Sequence, residues 1–246
     1  MLVSVAAMMG QTVRALEWTT FQSMVLMTDL GWAFMTRMGL LASGLVALFL
    51  IKQVAGRQIV AAGFYGLALL TLGWNGHAAA TEGTLGLVHR LNDGLHLLAA
   101  GLWIGAIGWF LTLVISAHRD SERCPPEPLL AAMHRFAPLG VTLVAIVTAT
   151  GVINAHLVFG LGNSWAVIQT TYGWLLIAKI TVVGFMLMCA WRNAATTRNT
   201  VRNVDQPQDS QPAALAALRT SLATEMLLAT AVIAIIAWAG LASPMG

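Results

Sequence analysis

Six long apolar segments constrain the fold of this 246-residue chain more than any other feature of its sequence. An α-helix rises about 1.5 Å per residue, so about 20 apolar residues cross the hydrocarbon core of a bilayer. The segments that reach this length are residues 30–51, 57–79, 90–116, 135–159, 171–191 and 219–241. We therefore predict an all-α, polytopic transmembrane bundle of six spanning helices.

The composition agrees with a membrane protein and excludes an ordinary soluble domain. Hydrophobic residues make up 58% of the chain and charged residues 9%, whereas soluble domains carry about 25% charged residues. The net charge of +3 comes from few ionisable groups, so it does not indicate nucleic-acid binding. A chain of this composition requires membrane lipid around it.

Basic residues in the connections predict the orientation. Connections one, three and five carry them, whereas residues 79–88 and 158–171, in the second and fourth connections, contain neither lysine nor arginine. By the positive-inside rule the odd-numbered connections are cytoplasmic, and both termini face the periplasm. The basic residues are Lys52, Arg57, Arg119, Arg123, Arg135, Arg192, Arg198, Arg202 and Arg219.

The remaining segments divide the chain into an N-terminal part, 1–29, and a transmembrane domain, 30–241. Residues 1–12 are apolar but too short to cross, so we expect an interfacial segment or the remnant of a longer N-terminus. They lack a basic leader and a cleavage site, so we do not predict a signal peptide. Residues 196–217 are polar and rich in Pro, Gln and Asn, which predicts a mobile linker.

Four of the six histidines are predicted to lie at one level, near the outer face. One histidine alone at this depth is usually an ordinary interfacial side chain, but four on three consecutive helices favour a metal or cofactor site. His118 and His134 flank a cytoplasmic connection, so they are weaker candidates for ligands of such a site. The four are His77 at the end of the second segment, His89 and His96 at the start of the third, and His156 at the end of the fourth.

The spacing on the third segment limits the kind of site. His89, Asp93, His96 and Trp103 share one stripe of a helix. His89 and His96 are about 10.5 Å apart along the axis, whereas a metal–imidazole bond is about 2 Å. We therefore predict two levels of ligands, completed by His77 and His156, with Asp93 either a ligand or a carboxylate that orients a histidine.

Methionines give a second, weaker signal. Met24 and Met27, then Met35 and Met38, form two M-x-x-M pairs before and within the first segment. Thioethers suit Cu(I), and imidazole suits either copper oxidation state. The same spacing also describes one face of a helix on which methionine fills gaps.

Two charged residues lie inside apolar segments, Lys179 in the fifth and Glu225 in the sixth. A charge at such depth is costly, so each needs a partner. A structural Lys179–Glu225 pair is one interpretation, and a role in ion movement is the other. Arg37 and Arg90, near the outer interface, are expected to snorkel.

The sequence contains no motif of a known catalytic centre: no phosphate loop, no nucleophile with a base at motif spacing, and no dinucleotide-binding glycine fingerprint. We therefore do not predict an enzyme. Cys124 and Cys189 are expected at different depths, which argues against a disulfide.

Landmarks in order along the chain resemble the CopD family of copper resistance membrane proteins over residues 25–241. They are TDLGWAFMTRMGLL, NGHAAA, DGLHLLAAGLWIGAI, HRFAPLGVTLVAIVTATG, TTYGWLLIAKI and Glu225. The resemblance implies an inner-membrane protein that moves copper, often encoded beside or fused to a periplasmic CopC-like copper-binding protein. Members commonly have further N-terminal spans, where this sequence has residues 1–12.

Carried onto this chain, the family pattern falls on His77, His96, Trp103, Lys179 and Glu225. His89, His156 and the methionine pairs are candidates from their position alone. Three functions follow: a copper transporter that captures Cu(I) or Cu(II) at the periplasmic face, a haem-binding electron-transfer subunit of the cytochrome b type, or a protein that delivers copper to a partner enzyme. The direction of movement and the oligomeric state stay open.

Overall fold

The computed structural model describes residues 12, 18–74, 83–202 and 210–239, and the described part is helical with no strand. Six of its helices are long and apolar enough to cross a membrane, which confirms the predicted all-α bundle. The helices are α1 Trp18–Met27, α2 Asp29–Leu50, α3 Val54–Leu70, α4 Gly83–Arg119, α5 Pro126–Phe159, α6 Ser164–Ile168, α7 Thr171–Arg202 and α8 Ser210–Ala239. Short 3-10 turns, Thr71–Trp74 and Leu161–Asn163, follow α3 and precede α6.

Several helices extend well beyond the apolar segments that predicted them. Helices α4, α5 and α7 have 37, 34 and 32 residues, more than the roughly 20 that cross a bilayer. The prediction of a linker over residues 196–217 is wrong at both of its bounds. Helix α7 continues to Arg202, and α8 begins at Ser210. Polar residues keep good helix geometry in water, so hydropathy locates the membrane boundary and not the helix end.

A threonine cap turns the chain from α1 into α2. Thr28 is the N-cap, and its Oγ1 accepts a hydrogen bond of 3.1 Å from the Gly31 backbone N–H. A Cβ at Gly31 would overlap the carbonyl oxygen of Val25, in α1. The T-x-x-G-W string at residues 28–32 is therefore a corner between a short helix and a spanning one, with glycine required by the close approach.

The same corner recurs before α7. Thr170 Oγ1 accepts from the Gly173 backbone N–H at 3.1 Å, and a Cβ at Gly173 would overlap the carbonyl oxygen of Val167, in α6. The string at 170–174 is again T-x-x-G-W. Trp32 and Trp174, which close the two strings, are 62% and 64% exposed, as expected for tryptophans at a membrane interface.

The chain forms two compact units, and α4 and α5 contribute to both. The first unit comprises residues 1–98 and 149–161, and the second comprises 99–148 and 162–246. In the first unit α2 packs against α3 where Gly44 faces the ring of Tyr65. The first part of α4 packs against α3 where Gly94 faces the Leu70 side chain.

The second unit contains a continuous apolar core, built around the packing of α7 against α8. Residues from α4, α5, α7 and α8 contribute to it. On α4 and α8 they recur at intervals of three, four or seven, which place them on one face of each helix. The buried members are Ala99, Trp103, Ile107, Val114, Ala117, Leu129, Leu130, Met133, Leu143, Met186, Leu215, Leu218, Leu222, Ala229 and Val232.

Replacing Gly44 by valine is expected to destabilise the first unit. A Cβ at this position would lie 2.6 Å from Tyr65 Cε1, so the ring must move and the α2–α3 contact must open, at a cost of about 1–3 kcal/mol. The measurement is the thermal unfolding midpoint of the purified protein in detergent. Gly39→Val on the same helix is the matched control, because a Cβ there meets nothing within 4 Å. Equal midpoints for the two variants would contradict the packing described.

Candidate functional site

A chain of hydrogen bonds joins α4 to α5 within the first unit. Asn92 Nδ2 donates to the Thr150 carbonyl oxygen at 2.9 Å and to Asn154 Oδ1 at 2.6 Å. Asn154 Nδ2 in turn donates to Asp93 Oδ1 at 3.1 Å. The amide of Asn154 therefore bridges two consecutive residues of α4, and one oxygen of the Asp93 carboxylate is occupied by a neutral donor.

His96 belongs to the same contact between α4 and α5. It lies one turn after Asn92, and Thr150 lies one turn before Asn154, so both pairs occupy one face of their helices. His96 Nδ1 and Thr150 Oγ1 are 2.9 Å apart. A Cβ at Gly151 would be 3.5 Å from His96 Cε1, so glycine lets the imidazole lie close to the α5 backbone.

The His96–Thr150 contact limits the tautomer of the imidazole. Threonine hydroxyls inside helices commonly donate to the carbonyl one turn earlier, which leaves the oxygen as an acceptor. With Nδ1–H donating to Thr150 Oγ1, the lone pair of His96 is on Nε2. Imidazoles that bind metals commonly use this arrangement, in which the second nitrogen is held by a hydrogen bond to the protein.

His89 and Asp93 lie on the same stripe as His96, as the spacing predicted. His89 is 2% exposed, whereas Asp93 and His96 are half-buried. His89 and His96 are about 10.5 Å apart along the helix axis. Among the described residues no three side chains of His, Cys, Asp or Glu are grouped closely enough to hold a metal ion.

The structure does not bring His156 into the network. His156 is exposed near the end of α5. It follows Asn154 by two residues, which is about 200° around a helix, so it points away from the face that contacts α4. His77, the other expected partner, lies outside the described residues.

Neither methionine pair lines a ligand site in the described part of the chain. Met35 and Met38 are 47% and 42% exposed on α2, and Met27 is 84% exposed on α1. The buried residues of α2 are Gly31, Ala33, Gly44 and Ala47, and neither Met35 nor Met38 is among them.

Arg37 and Arg90 both contact the 3-10 turn after α3. Arg37 Nε donates to Thr71 Oγ1 at 2.8 Å, and Arg37 Nη2 donates to the Thr71 carbonyl oxygen at 3.0 Å. The guanidinium of Arg90 lies 6.0 Å from the ring centroid of Trp74, within range of a cation–π contact.

An open cleft of about 360 Å³ lies between α2 and this turn. It is lined by Asp29, Trp32, Ala33, Thr36, Thr71 and Trp74. The sequence alone did not reveal it, since its residues come from two separate segments.

The buried Glu225 has a partner different from the one proposed. Asn193 Nδ2 donates to Glu225 Oε1. Lys179 precedes Asn193 by 14 residues on α7, about 21 Å along the axis. The suggested Lys179–Glu225 pair is therefore wrong, because α7 and α8 place Asn193, and not Lys179, at the level of Glu225.

Sequence reasoning missed the uncharged polar residues of both units. Asn92, Thr150, Asn154 and Asn193 lie inside apolar helices but carry no charge, so the charge pattern of the sequence assigned them no role. An amide within a spanning segment is itself a signal, because it needs a hydrogen-bonding partner in lipid.

Two family models match the chain. The model described as copper resistance protein D matches residues 130–239, and that described as copper resistance protein D-like, N-terminal domain, matches residues 1–87. These matches confirm the resemblance found in the sequence. No solved structure matches the chain.

Three curated proteins are similar. The chain is 30% identical to Copper resistance protein D of Pseudomonas syringae pv. tomato, over 99% of this chain and 79% of that protein. It is 33% identical to Copper transport protein CutJ of Bacillus subtilis (strain 168), over 51% of this chain and 22% of that protein. It is 31% identical to Inner membrane protein YebZ of Escherichia coli (strain K12), over 48% and 38% respectively.

Replacing Asn154 by leucine is expected to destabilise the first unit. The change keeps the side-chain shape but removes the acceptor for Asn92 and the donor to Asp93, which costs about 1–3 kcal/mol when polar groups are left buried. The thermal unfolding midpoint in detergent measures the effect. Asn199→Leu, at an exposed position of α7, is the matched control, and equal midpoints would show that the bridge does not stabilise the unit.

Proposed function

The chain belongs to the copper resistance protein D family, and from this we propose that it binds copper at the periplasmic face of the inner membrane and takes part in moving it across. Copper is then the cargo, and the protein supplies a site for capture. One observation carries the proposal: the hydrogen bond that holds His96 Nδ1 on Thr150. In the tautomer whose Nδ1–H donates to Thr150 Oγ1, Nε2 is the nitrogen that we assign to the metal.

The proposed ligand set centres on α4. His96 Nε2 is the first ligand, and Asp93, one turn earlier on the same stripe, either binds copper with its second oxygen or orients a neighbouring ligand. His77 is proposed as the completing imidazole, because the family pattern falls on it and the sequence predicts it at the same outer level. His89, about 10.5 Å from His96 along the axis of α4, is proposed as a ligand at a second position for the ion.

The remaining candidates are assigned lesser roles. His156 is exposed and turned away from Asn154, and Met35 and Met38 are on the exposed surface of α2. We assign these three residues to the path by which copper approaches the site. Imidazole serves both oxidation states of copper and thioethers favour Cu(I), so the ligand set leaves the oxidation state open.

The proposed orientation places the N-terminal end of α4 at the periplasm. The connection between α4 and α5 contains exposed Arg119 and Arg123, and Arg123 pairs with Asp120 at 3.4 Å. Positive residues of this kind are retained in the cytoplasm, so the opposite ends of α4 and α5, with the His96 network, face the periplasm. A periplasmic CopC-like copper-binding protein is the proposed donor or acceptor at this face.

We expect the purified, detergent-solubilised protein to bind about one copper ion at each site that has its full set of histidine ligands. Elemental analysis for copper and iron measures this content. The variant with both His77→Ala and His96→Ala should lose this copper. His118→Ala, at the exposed end of α4, is the matched control and should keep it. Unchanged copper in the double variant would refute the site, and iron in place of copper would indicate a haem protein.

Thr150→Val is expected to weaken copper binding about 10–100-fold without unfolding the protein, as is typical when the hydrogen-bonding partner of a metal-binding histidine is removed. Valine has nearly the shape of threonine but cannot accept from His96 Nδ1. The measurement is a copper titration against a competing chelator. Thr148→Val, exposed on the same helix, controls for changes in α5, and Thr150→Ser should restore affinity. Equal affinity for Thr150→Val and the native chain would contradict the assigned role.

A further inference from the structure

Glu225 occupies the centre of the buried stripe of α8. Leu218, Leu222, Ala229 and Val232 lie seven, three, four and seven residues away, and all are buried. Their spacing places them on the same side of the helix as Glu225. The glutamate is itself 1% exposed, so its carboxyl group is inside the apolar core of the second unit.

The polar neighbour of the Glu225 carboxyl group is a neutral amide of α7. Asn193 Nδ2 donates to Glu225 Oε1, and Asn193 is 8% exposed. One turn further along α7, Thr197 Oγ1 donates to the Asn193 carbonyl oxygen at 3.0 Å, and Thr197 is 1% exposed. The amide of Asn193 therefore contacts the carboxyl group directly, and the Thr197 hydroxyl is bonded to the backbone of its own helix one turn further on.

The elements packed around Glu225 present apolar side chains to it. The buried core residues of α4 and α5 include Val114, Ala117, Leu130 and Met133. The ionisable residues of these elements lie towards the surface or further along the helices. Among the described side chains of the second unit they are His118, Arg119, Glu122, Arg123, Glu127, Arg135, Arg192, Arg198 and Arg219, exposed; Asp120, Cys124, His134, Tyr172 and Cys189, half-buried; and Lys179, half-buried and about 21 Å from Asn193 along α7.

Among the described residues Glu225 forms no ion pair, so an ionised carboxylate there would lack the cation that normally compensates a charge in a membrane. A neutral acid has no such requirement, and it accepts the Asn193 hydrogen bond through its carbonyl oxygen. Carboxyl, amide and hydroxyl oxygens are also poor ligands for Cu(I), so these groups are not suited to a second copper site.

We propose that Glu225 is a proton-binding site that exchanges its proton when copper moves through the protein. This proposal rests on the proposed copper function but concerns the second unit, which contains none of the proposed copper ligands. In the exchange the O–H bond of the acid breaks, the electron pair stays on the carboxylate oxygen, and the proton passes to water. One positive charge leaves as one Cu(I) enters, so the net charge within the membrane domain is unchanged; re-protonation completes the cycle.

Infrared difference spectroscopy on the full chain reconstituted in liposomes tests the proposal. Addition of Cu(I) is expected to remove the carbonyl-stretch band of a protonated carboxylic acid. The band should be missing completely in Glu225→Gln, which keeps the side-chain shape but cannot lose a proton. Asn193→Leu should shift the band, because it removes the hydrogen bond to the carbonyl oxygen. Glu127→Gln, at an exposed position of α5, should leave the band unchanged.

The outcomes separate this proposal from the copper function. Copper binding without loss of the band, or a band that persists in Glu225→Gln, would overturn the proton site while the copper site stands.

If the native protein binds no copper, the proposed function fails. The same band is then followed while the pH is raised from mildly acidic to alkaline without copper. A band that appears in the native protein and not in Glu225→Gln retains Glu225 as a proton site, and its absence overturns the proposal.

Discussion

The need to pair every polar group inside a membrane domain governs the described structure. Water cannot satisfy a side chain in the hydrocarbon core, so each buried donor or acceptor must find a partner on a neighbouring helix. In the first unit this requirement joins α4 to α5 through Asn92 and Asn154. In the second unit it sets the level at which α7 meets α8, through Asn193 and Glu225.

Close approach between helices depends on a few glycines. Gly44 lets the Tyr65 ring lie against α2, and Gly151 lets the imidazole of His96 lie against α5. Gly31 and Gly173 allow the two threonine-capped corners to fold back on the preceding short helices. At Gly151 a Cβ would be 3.5 Å from His96 Cε1, an ordinary contact distance, so the imidazole lies directly against the α5 backbone beside Thr150.

The number of spans could be predicted from the sequence because the length of an apolar segment measures the bilayer directly. The ends of α4, α5 and α7 could not, because a helix does not stop where the membrane does. The stripe of His89, Asp93 and His96 followed from helical periodicity within one segment. The pairing of Glu225 did not, because the relative level of two helices depends on contacts between them. Lys179 and Glu225 both lie inside their apolar segments, but they are not at one level.

The two proposals assign different chemistry to the two units. Imidazole and carboxylate on α4 offer copper a nitrogen ligand already oriented by Thr150, whereas the contact between α7 and α8 offers only oxygens and an amide. The family models match residues 1–87 and 130–239, so the histidine stripe of α4 lies between them, while Asn193 and Glu225 lie within the second. The similarity to Copper resistance protein D of Pseudomonas syringae pv. tomato covers 99% of this chain and therefore spans α4 as well. The case for His96 accordingly depends on its geometry with Thr150, and the case for Glu225 on its burial beside a neutral amide.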